Sequence, residues 1–312
     1  MLKIEGLTRY YGNFLALDHL NLCIGDGELH GFVGPNGAGK TTTMRILATL
    51  LPASSGYAEI DGVVIGKDNR KARTLVGYMP DFFGVYDNLK SWEYLDFYAR
   101  CYGIRKKDRQ RMTEQLLELV GLTDKREAYV NSLSRGMKQR LCLAHALIHD
   151  PKLLILDEPA SGMDPRARAE MKGILRSLKD MGKTVLISSH ILPELSEMCD
   201  SLTILDHGKL IFSGTVEALA LKMNGDAPLD IRFTSGCGER PIDRAVTLLR
   251  ENPLVQGITQ EEPNMLRVRL HGEEAACADV LRMLMREELP IADFHRAPMN
   301  LEKVFMEVTQ NA

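Results

Sequence analysis

Gly34-Pro35-Asn36-Gly37-Ala38-Gly39-Lys40-Thr41 is the stretch on which the fold turns. It follows a compact apolar run, Glu28 to Val33, and precedes a segment whose apolar residues Met44, Ile46, Leu47 and Leu50 fall at helical spacing. Strand, glycine-rich loop and helix in that order form a pocket in which backbone N–H groups and a helix N-terminus surround phosphate oxygens. The glycines let the backbone wrap closely, Lys40 suits the β- and γ-phosphates, and the Thr41 hydroxyl suits a Mg²⁺ ion. A chance glycine turn is the plain alternative, and the flanking strand and helix weigh against it.

Working outward, Leu153 to Leu156 is a second short apolar run, and it ends in Asp157-Glu158. Beside a bound nucleotide, Asp157 suits a metal held through water, and Glu158 suits the base that orients and deprotonates an attacking water. Without the glycine loop the same pair would read as a solvated acidic strand end before Pro159. Val185 to Ser188 is a third such run, and runs of this kind after helix-like stretches mark buried parallel strands of an α/β sheet. Between the first and second runs, helical periodicity over about Ser91 to His149 predicts a helical insertion at about 82–150. Trp92, Leu95, Phe97 and Tyr98 are expected on its early face. Leu2 to Leu29 reads as short β-like pieces between Gly and Asp turns, and Thr203 to Phe212 as a hairpin around His207-Gly208-Lys209.

Met223 to Pro228 is the expected linker, dividing a larger domain at 1–222 from a smaller one at 227–312. The smaller part alternates as strand (Leu229 to Phe233), helix (Pro241 to Glu251), two strands (Val255 to Thr259 and Met265 to Leu270), helix (Glu274 to Glu288) and strand (Ile291 to Arg296). This β-α-β-β-α-β order predicts a ferredoxin-like α+β module.

The 312 residues are 45% apolar and 26% charged, the composition of a globular protein with a full core. A formal net charge of -3 gives no strong field for nucleic acid, and the basic run Arg105 to Arg111 reads as a solvated face. The six cysteines, Cys23, Cys101, Cys142, Cys199, Cys237 and Cys277, lack zinc-site spacing and read as reduced thiols. Met1 to Gly6 opens into strand-like sequence, so no signal peptide is expected. No apolar run approaches the roughly 20 residues that span a bilayer, so a membrane role is expected to come through a partner.

Taken in order, these motifs resemble the ATP-binding cassette ATPases over about residues 1 to 220. The matching segments are the phosphate loop, Leu133-Ser134-Arg135-Gly136-Met137 as signature, Asp157-Glu158, Ser161-Gly162-Met163-Asp164 as D-loop, and His190 as switch histidine. The resemblance implies an α/β P-loop ATPase cassette with a mixed core sheet, an antiparallel β subdomain and a helical insertion, followed by the small α+β domain. It implies ATP and Mg²⁺ as cofactors, held by Gly34, Pro35, Asn36, Gly37, Ala38, Gly39, Lys40, Thr41 and Thr42. It further implies that Tyr11 stacks on adenine, that His190 contacts the γ-phosphate, and that Thr41, Asp81 and Asp157 serve the metal. Two cassettes are expected to meet head to tail, with Ser134 and Gly136 of one closing on the ATP of the other. The expected partner is a separate integral-membrane permease, which would place the chain on the cytoplasmic face of the membrane.

Two departures stand out against that family. Arg135 and Met137 replace Gly and Gln of the usual signature, and Asp81 follows Pro80 where Gln is usual. Phe82-Phe83-Gly84-Val85-Tyr86 corresponds to the groove that receives a helix of the membrane subunit, although packing of the insertion onto the core would explain the same aromatics. Asn300-Leu301-Glu302-Lys303-Val304-Phe305 resembles the ending of multidrug and antibiotic export ATPases. The rival readings are an ATPase acting on nucleic acid or ribosomes and a regulatory binding module with little hydrolysis.

Overall fold

In the computed structural model, residues 1–82, 84, 86–219, 228–271 and 274–296 are described. The expected linker at 223–228 lies outside them apart from Pro228, as do Phe83, Val85 and the 300–305 tail motif. Two compact units emerge, one of Met1–Val216 and a second beginning at Glu217.

In the first unit, β1 (Leu2–Tyr11) and β2 (Phe14–Ile24) pair antiparallel and run much longer than the short pieces expected. Register shifts between Ile4 and Leu7 and between Leu7 and Arg9 take up the turn-forming Gly6 (φ 56°) and His19 (φ 49°), so the ladder continues through them. With β4 (Ser55–Ile60) and β5 (Val63–Val64) they form a sheet of order β2-β1-β4-β5.

The second sheet holds β3 (Leu29–Val33), β6 (Val76–Met79), β7 (Leu153–Leu156), β8 (Thr184–Ser189), β9 (Ser201–Asp206) and β10 (Lys209–Thr215), in the order β10-β9-β3-β8-β7-β6. Only β10 runs antiparallel to its neighbour. Every residue of β3, β7, β8 and β9 is buried, which explains why Leu29–Val33, Leu153–Leu156 and Val185–Ser188 read as short apolar runs rather than alternating ones. Val33 lies beside Ser189 and Ile204, and Leu156 beside Ile187 and Met79. The segments leaving these parallel strands therefore emerge at one edge of the sheet, where open α/β sheets bind their ligands.

Helix α1 (Lys40–Leu47) buries Met44, Ile46 and Leu47, but it stops before Leu50. Thr49 turns the chain at φ 61°, and Leu50 is 63% exposed instead of sharing the core face. After α2 (Asn69–Leu75), the insertion comprises α3 (Ser91–Cys101), α4 (Lys106–Leu119) and α5 (Arg135–Ala146). The buried stripe of α3 is Ser91, Tyr94, Leu95 and Ala99, whereas Phe97, expected inward, is exposed. In the basic run, Arg105, Lys106 and Lys107 face solvent, yet Arg109 folds inward to donate to Asp96 Oδ1 (2.5 Å) and Ile104 O (3.1 Å). Helices α6 (Pro165–Asp180) and α7 (Leu192–Ser196) flank β8.

In the second unit, β11 (Leu229–Phe233), β12 (Val255–Glu262), β13 (Met265–Leu270) and β14 (Ile291–Arg296) form an antiparallel sheet of order β12-β13-β11-β14. Helices α8 (Glu239–Glu251) and α9 (Glu274–Arg286) lay Ile242, Ala245, Leu249, Ala276, Val280 and Leu284 into one core with the strands. This is the expected ferredoxin-like sequence of elements.

Candidate nucleotide site

The loop from Gly34 to Gly39 keeps its shape because side chains are excluded at its two ends. A Cβ on Gly34 would lie 2.5 Å from Leu205 O, and one on Gly39 would lie 2.7 Å from Leu17 Cδ2 and 2.9 Å from Ala16 O. Gly39 also holds φ 104°, a conformation that side chains disfavour. It precedes α1 without any side-chain cap and with no acidic residue in the first turn, so the N–H groups of Lys40, Thr41 and Thr42 are left for an anion. Pro35 is half-buried, Asn36 and Gly37 are exposed, Ala38 is buried, and Thr41 and Thr42 are half-buried. Lys40 is buried and donates from Nζ to Gly34 O (2.5 Å) and Pro35 O (3.2 Å). Burial pulls its ammonium below the usual lysine value, while Glu158 and Asp157 oppose that shift.

The parallel register of β7 and β8 builds the acidic side of the site. Ser188 Oγ donates to Asp157 Oδ1 (2.7 Å) and accepts from Glu158 N (2.9 Å), a double role that the sequence did not reveal. Asp157 is 1% exposed, and its Oδ2 is buried without a hydrogen bond. Glu158 sits at φ 51°, a left-handed backbone that a non-glycine residue adopts only where its surroundings hold it. Its Oε2 lies 3.0 Å from His190 Nδ1, and its Oε1 lies 3.9 Å from Lys40 Nζ. Burial raises the Glu158 carboxyl above the usual carboxylate range, and His190 and Lys40 counter it. The phenol of Tyr78, pushed up to about 12 chiefly by burial and then by the charge of Asp157, marks the same low-dielectric floor.

The free Asp157 Oδ2 fits a metal-bound water, and the Thr41 hydroxyl follows the loop directly. Among the described residues no group of three or more His, Cys, Asp or Glu could hold a metal. That donor set matches Mg²⁺, which usually takes one or two protein ligands and completes its shell with phosphate oxygens and water. Asp81 is exposed just beyond β6, and Asp157 N donates to Met79 O (2.8 Å), so the ends of β6 and β7 lie side by side. Tyr11 ends β1 opposite Phe14, 43% exposed, with the Arg9 guanidinium 5.0 Å from its ring.

Ser134 and Gly136 start the signature helix. Ser134 Oγ accepts from Met137 N (3.3 Å), an ordinary cap, and Gly136 packs so closely that a Cβ would meet Ala167 Cβ at 3.0 Å. Among the described residues no hydrogen bond ties either of them to the 34–42 loop.

This arrangement has counterparts among known proteins. The family described as ABC transporter matches residues 17–161. Over 310 residues the chain is 30% identical to the linearmycin resistance ATP-binding protein LnrL of Bacillus subtilis (strain 168), spanning 99% of this chain and 98% of that one. The chain belongs to the ABC transporter family. It is an ABC ATPase cassette, and it is 42% identical to the bacitracin transport ATP-binding protein BcrA of Bacillus licheniformis over 298 residues, 92% of this chain and 94% of that one. Among solved structures, the ATP-binding subunit of an ABC transporter superposes with a TM-score of 0.65 at 28% identity, covering 72% of this cassette's chain and 93% of the other. Dimeric MJ0796, a bacterial ABC transporter cassette, gives a TM-score of 0.63 at 24% identity over 69% of this chain and 99% of that one, a likeness of fold. No helix among the described residues of this ABC ATPase is long and apolar enough to cross a membrane.

Proposed function

We propose that this ABC ATPase powers export through a separate membrane permease, binding and hydrolysing Mg-ATP with the residues gathered at the sheet edge. The observation that carries the reading is the contact chain Lys40–Glu158–His190, spanned by separations of 3.9 and 3.0 Å beside an uncapped helix start. Lys40 and the amides of Lys40, Thr41 and Thr42 would grip the phosphates. His190 occupies Glu158 Oε2, which leaves Oε1 as the oxygen that accepts the proton of the attacking water. Raised by burial, that carboxylate is the stronger base for the task. Thr41 and Asp157 would hold Mg²⁺ with help from Asp81, and the ion would neutralise charge on the β- and γ-oxygens. Tyr11, exposed at the end of its strand, offers a free face for adenine.

Exposure of Ser134 at the head of α5, with Gly136 buried just behind it, supports a head-to-tail dimer in which the two would complete the partner's site. Export is supported by relatives named for bacitracin transport and linearmycin resistance, and by a Nod factor export ATP-binding protein of Sinorhizobium fredii. Action on nucleic acid finds no support in those names or in a net charge of -3. A permease partner would place residues 1–222 on the cytoplasmic face of the membrane, with 227–312 as an appended domain. Glu158→Gln is the test: turnover should fall by about a thousandfold while ATP binding persists. Substantial residual hydrolysis would reject Glu158 as the base.

A further inference from the structure

Arg135 stands where most of the family has glycine, and its side chain makes no hydrogen bond or ion pair among the described residues. Its position is nonetheless specific. A Cβ on Gly162 would lie 2.7 Å from both the guanidinium carbon and Nη1 of Arg135, and 3.0 Å from Nη2. The planar group therefore lies flat on the Gly162 backbone, which itself sits at φ 66°. One turn further along the same helix face, Gln139 is 2% exposed and donates from Nε2 to Ser161 O (3.1 Å). Between them Gly136 rests on Met163 and Ala167. The first two turns of α5 thus grip 161–167 at three places, and Ser161 N donates to Glu158 O (3.1 Å), the main chain of the proposed base.

We infer that Arg135 is a positioning residue, clamping the 158–163 turn to the head of α5 so that what Ser134 and Gly136 bind is felt at Glu158. The inference rests on the proposed roles of Glu158, Ser134 and Gly136. The contact lies within one subunit, so in a head-to-tail dimer the head that closes on the partner's ATP is fastened to the turn carrying its own subunit's base. A glycine at 135 has no side chain to make this fastening. A side chain at 162 would expel the guanidinium.

The test uses the full-length chain with Arg135→Ala, Arg135→Lys, Gly162→Ala and the double variant Arg135→Ala/Gly162→Ala. Because a small displacement of a reacting group costs up to about a hundredfold, kcat of Arg135→Ala should fall by about tenfold, with ATP affinity within about twofold of the parent. Arg135→Lys should recover part of kcat, and the double variant should be no slower than the slower single variant. Unchanged kcat, affinity falling in step with kcat, or multiplicative losses in the double variant would each overturn the clamp. An inactive parent chain, or an active Glu158→Gln, would instead overturn the assignment of the base.

Discussion

Ser188→Ala removes one oxygen and two hydrogen bonds from the floor of the site. The hydroxyl is 1% exposed, donates to Asp157 Oδ1 at 2.7 Å and accepts from Glu158 N at 2.9 Å. Asp157 would be left with both carboxylate oxygens short of partners, because Oδ2 already lacks one. A hydrogen bond to a charged group is worth about 1.5–3 kcal/mol, and a stranded buried N–H costs about 1–3 kcal/mol. The two losses share one oxygen and overlap, so the net destabilisation is about 3 kcal/mol. For a unit of 216 residues, at about 2–4 °C per kcal/mol, the unfolding midpoint should fall by about 6–12 °C. Catalysis should suffer separately. The φ of 51° at Glu158 is held in part by the same bond, and a relaxed main chain misdirects Oε1, lowering kcat by about tenfold or more. Lys40 donates to Gly34 O and Pro35 O and not to Ser188, so ATP affinity should hold. Thermal unfolding followed by circular dichroism, paired with steady-state phosphate release, measures both effects. A midpoint within about 2 °C of the parent together with kcat within about twofold would refute the reasoning.

Gly39→Ala drives a Cβ to 2.9 Å from Ala16 O at a backbone angle of 104°, and should abolish measurable nucleotide binding while lowering the unfolding temperature; normal ATP titration by equilibrium dialysis would contradict it. His145 is stacked on Tyr98 with ring centres 3.7 Å apart, and burial, aided by the charge of His149, lowers its pKa from 6.5 to about 4. The unfolded chain therefore binds the extra proton first, so stability is full above pH 6.5 and is lost as pH falls toward about 4. His145→Phe should flatten the loss of urea stability between about pH 7 and pH 5, and an unchanged slope would exclude His145 as a source of the acid sensitivity.

Much of this site was legible because its signals are local. Gly34 to Thr41 carries its strand, loop and helix within a few residues, and Asp157-Glu158 closes a strand marked by four successive apolar residues. Ser188 was not legible, since its role depends on Leu156 lying beside Ile187, a register set by parallel pairing and not by sequence neighbours. Arg135 was visible as a departure, but its place on Gly162 arises from the packing of α5 against the segment leading into α6. Leu50 fitted the helical period and was misplaced because the chain turns left-handed at Thr49, which no periodicity encodes. The lengths of β1 and β2 were underestimated for a related reason: Gly6 reads as a break, but a bulge absorbs it.

Gly39 meets Ala16 and Leu17 on one side and Gly208 on another, so two segments far apart in the chain close around a single glycine. The eight-residue loop is consequently no portable cartridge. Grafted onto another strand and helix it would lack the hairpin that buttresses it from before and the turn that buttresses it from behind. The smallest fragment able to hold phosphate in this way extends from the first hairpin through the turn at His207-Gly208. Shortening the chain from its C-terminal side past His207-Gly208 should then erase nucleotide binding before it reaches any residue that touches the nucleotide.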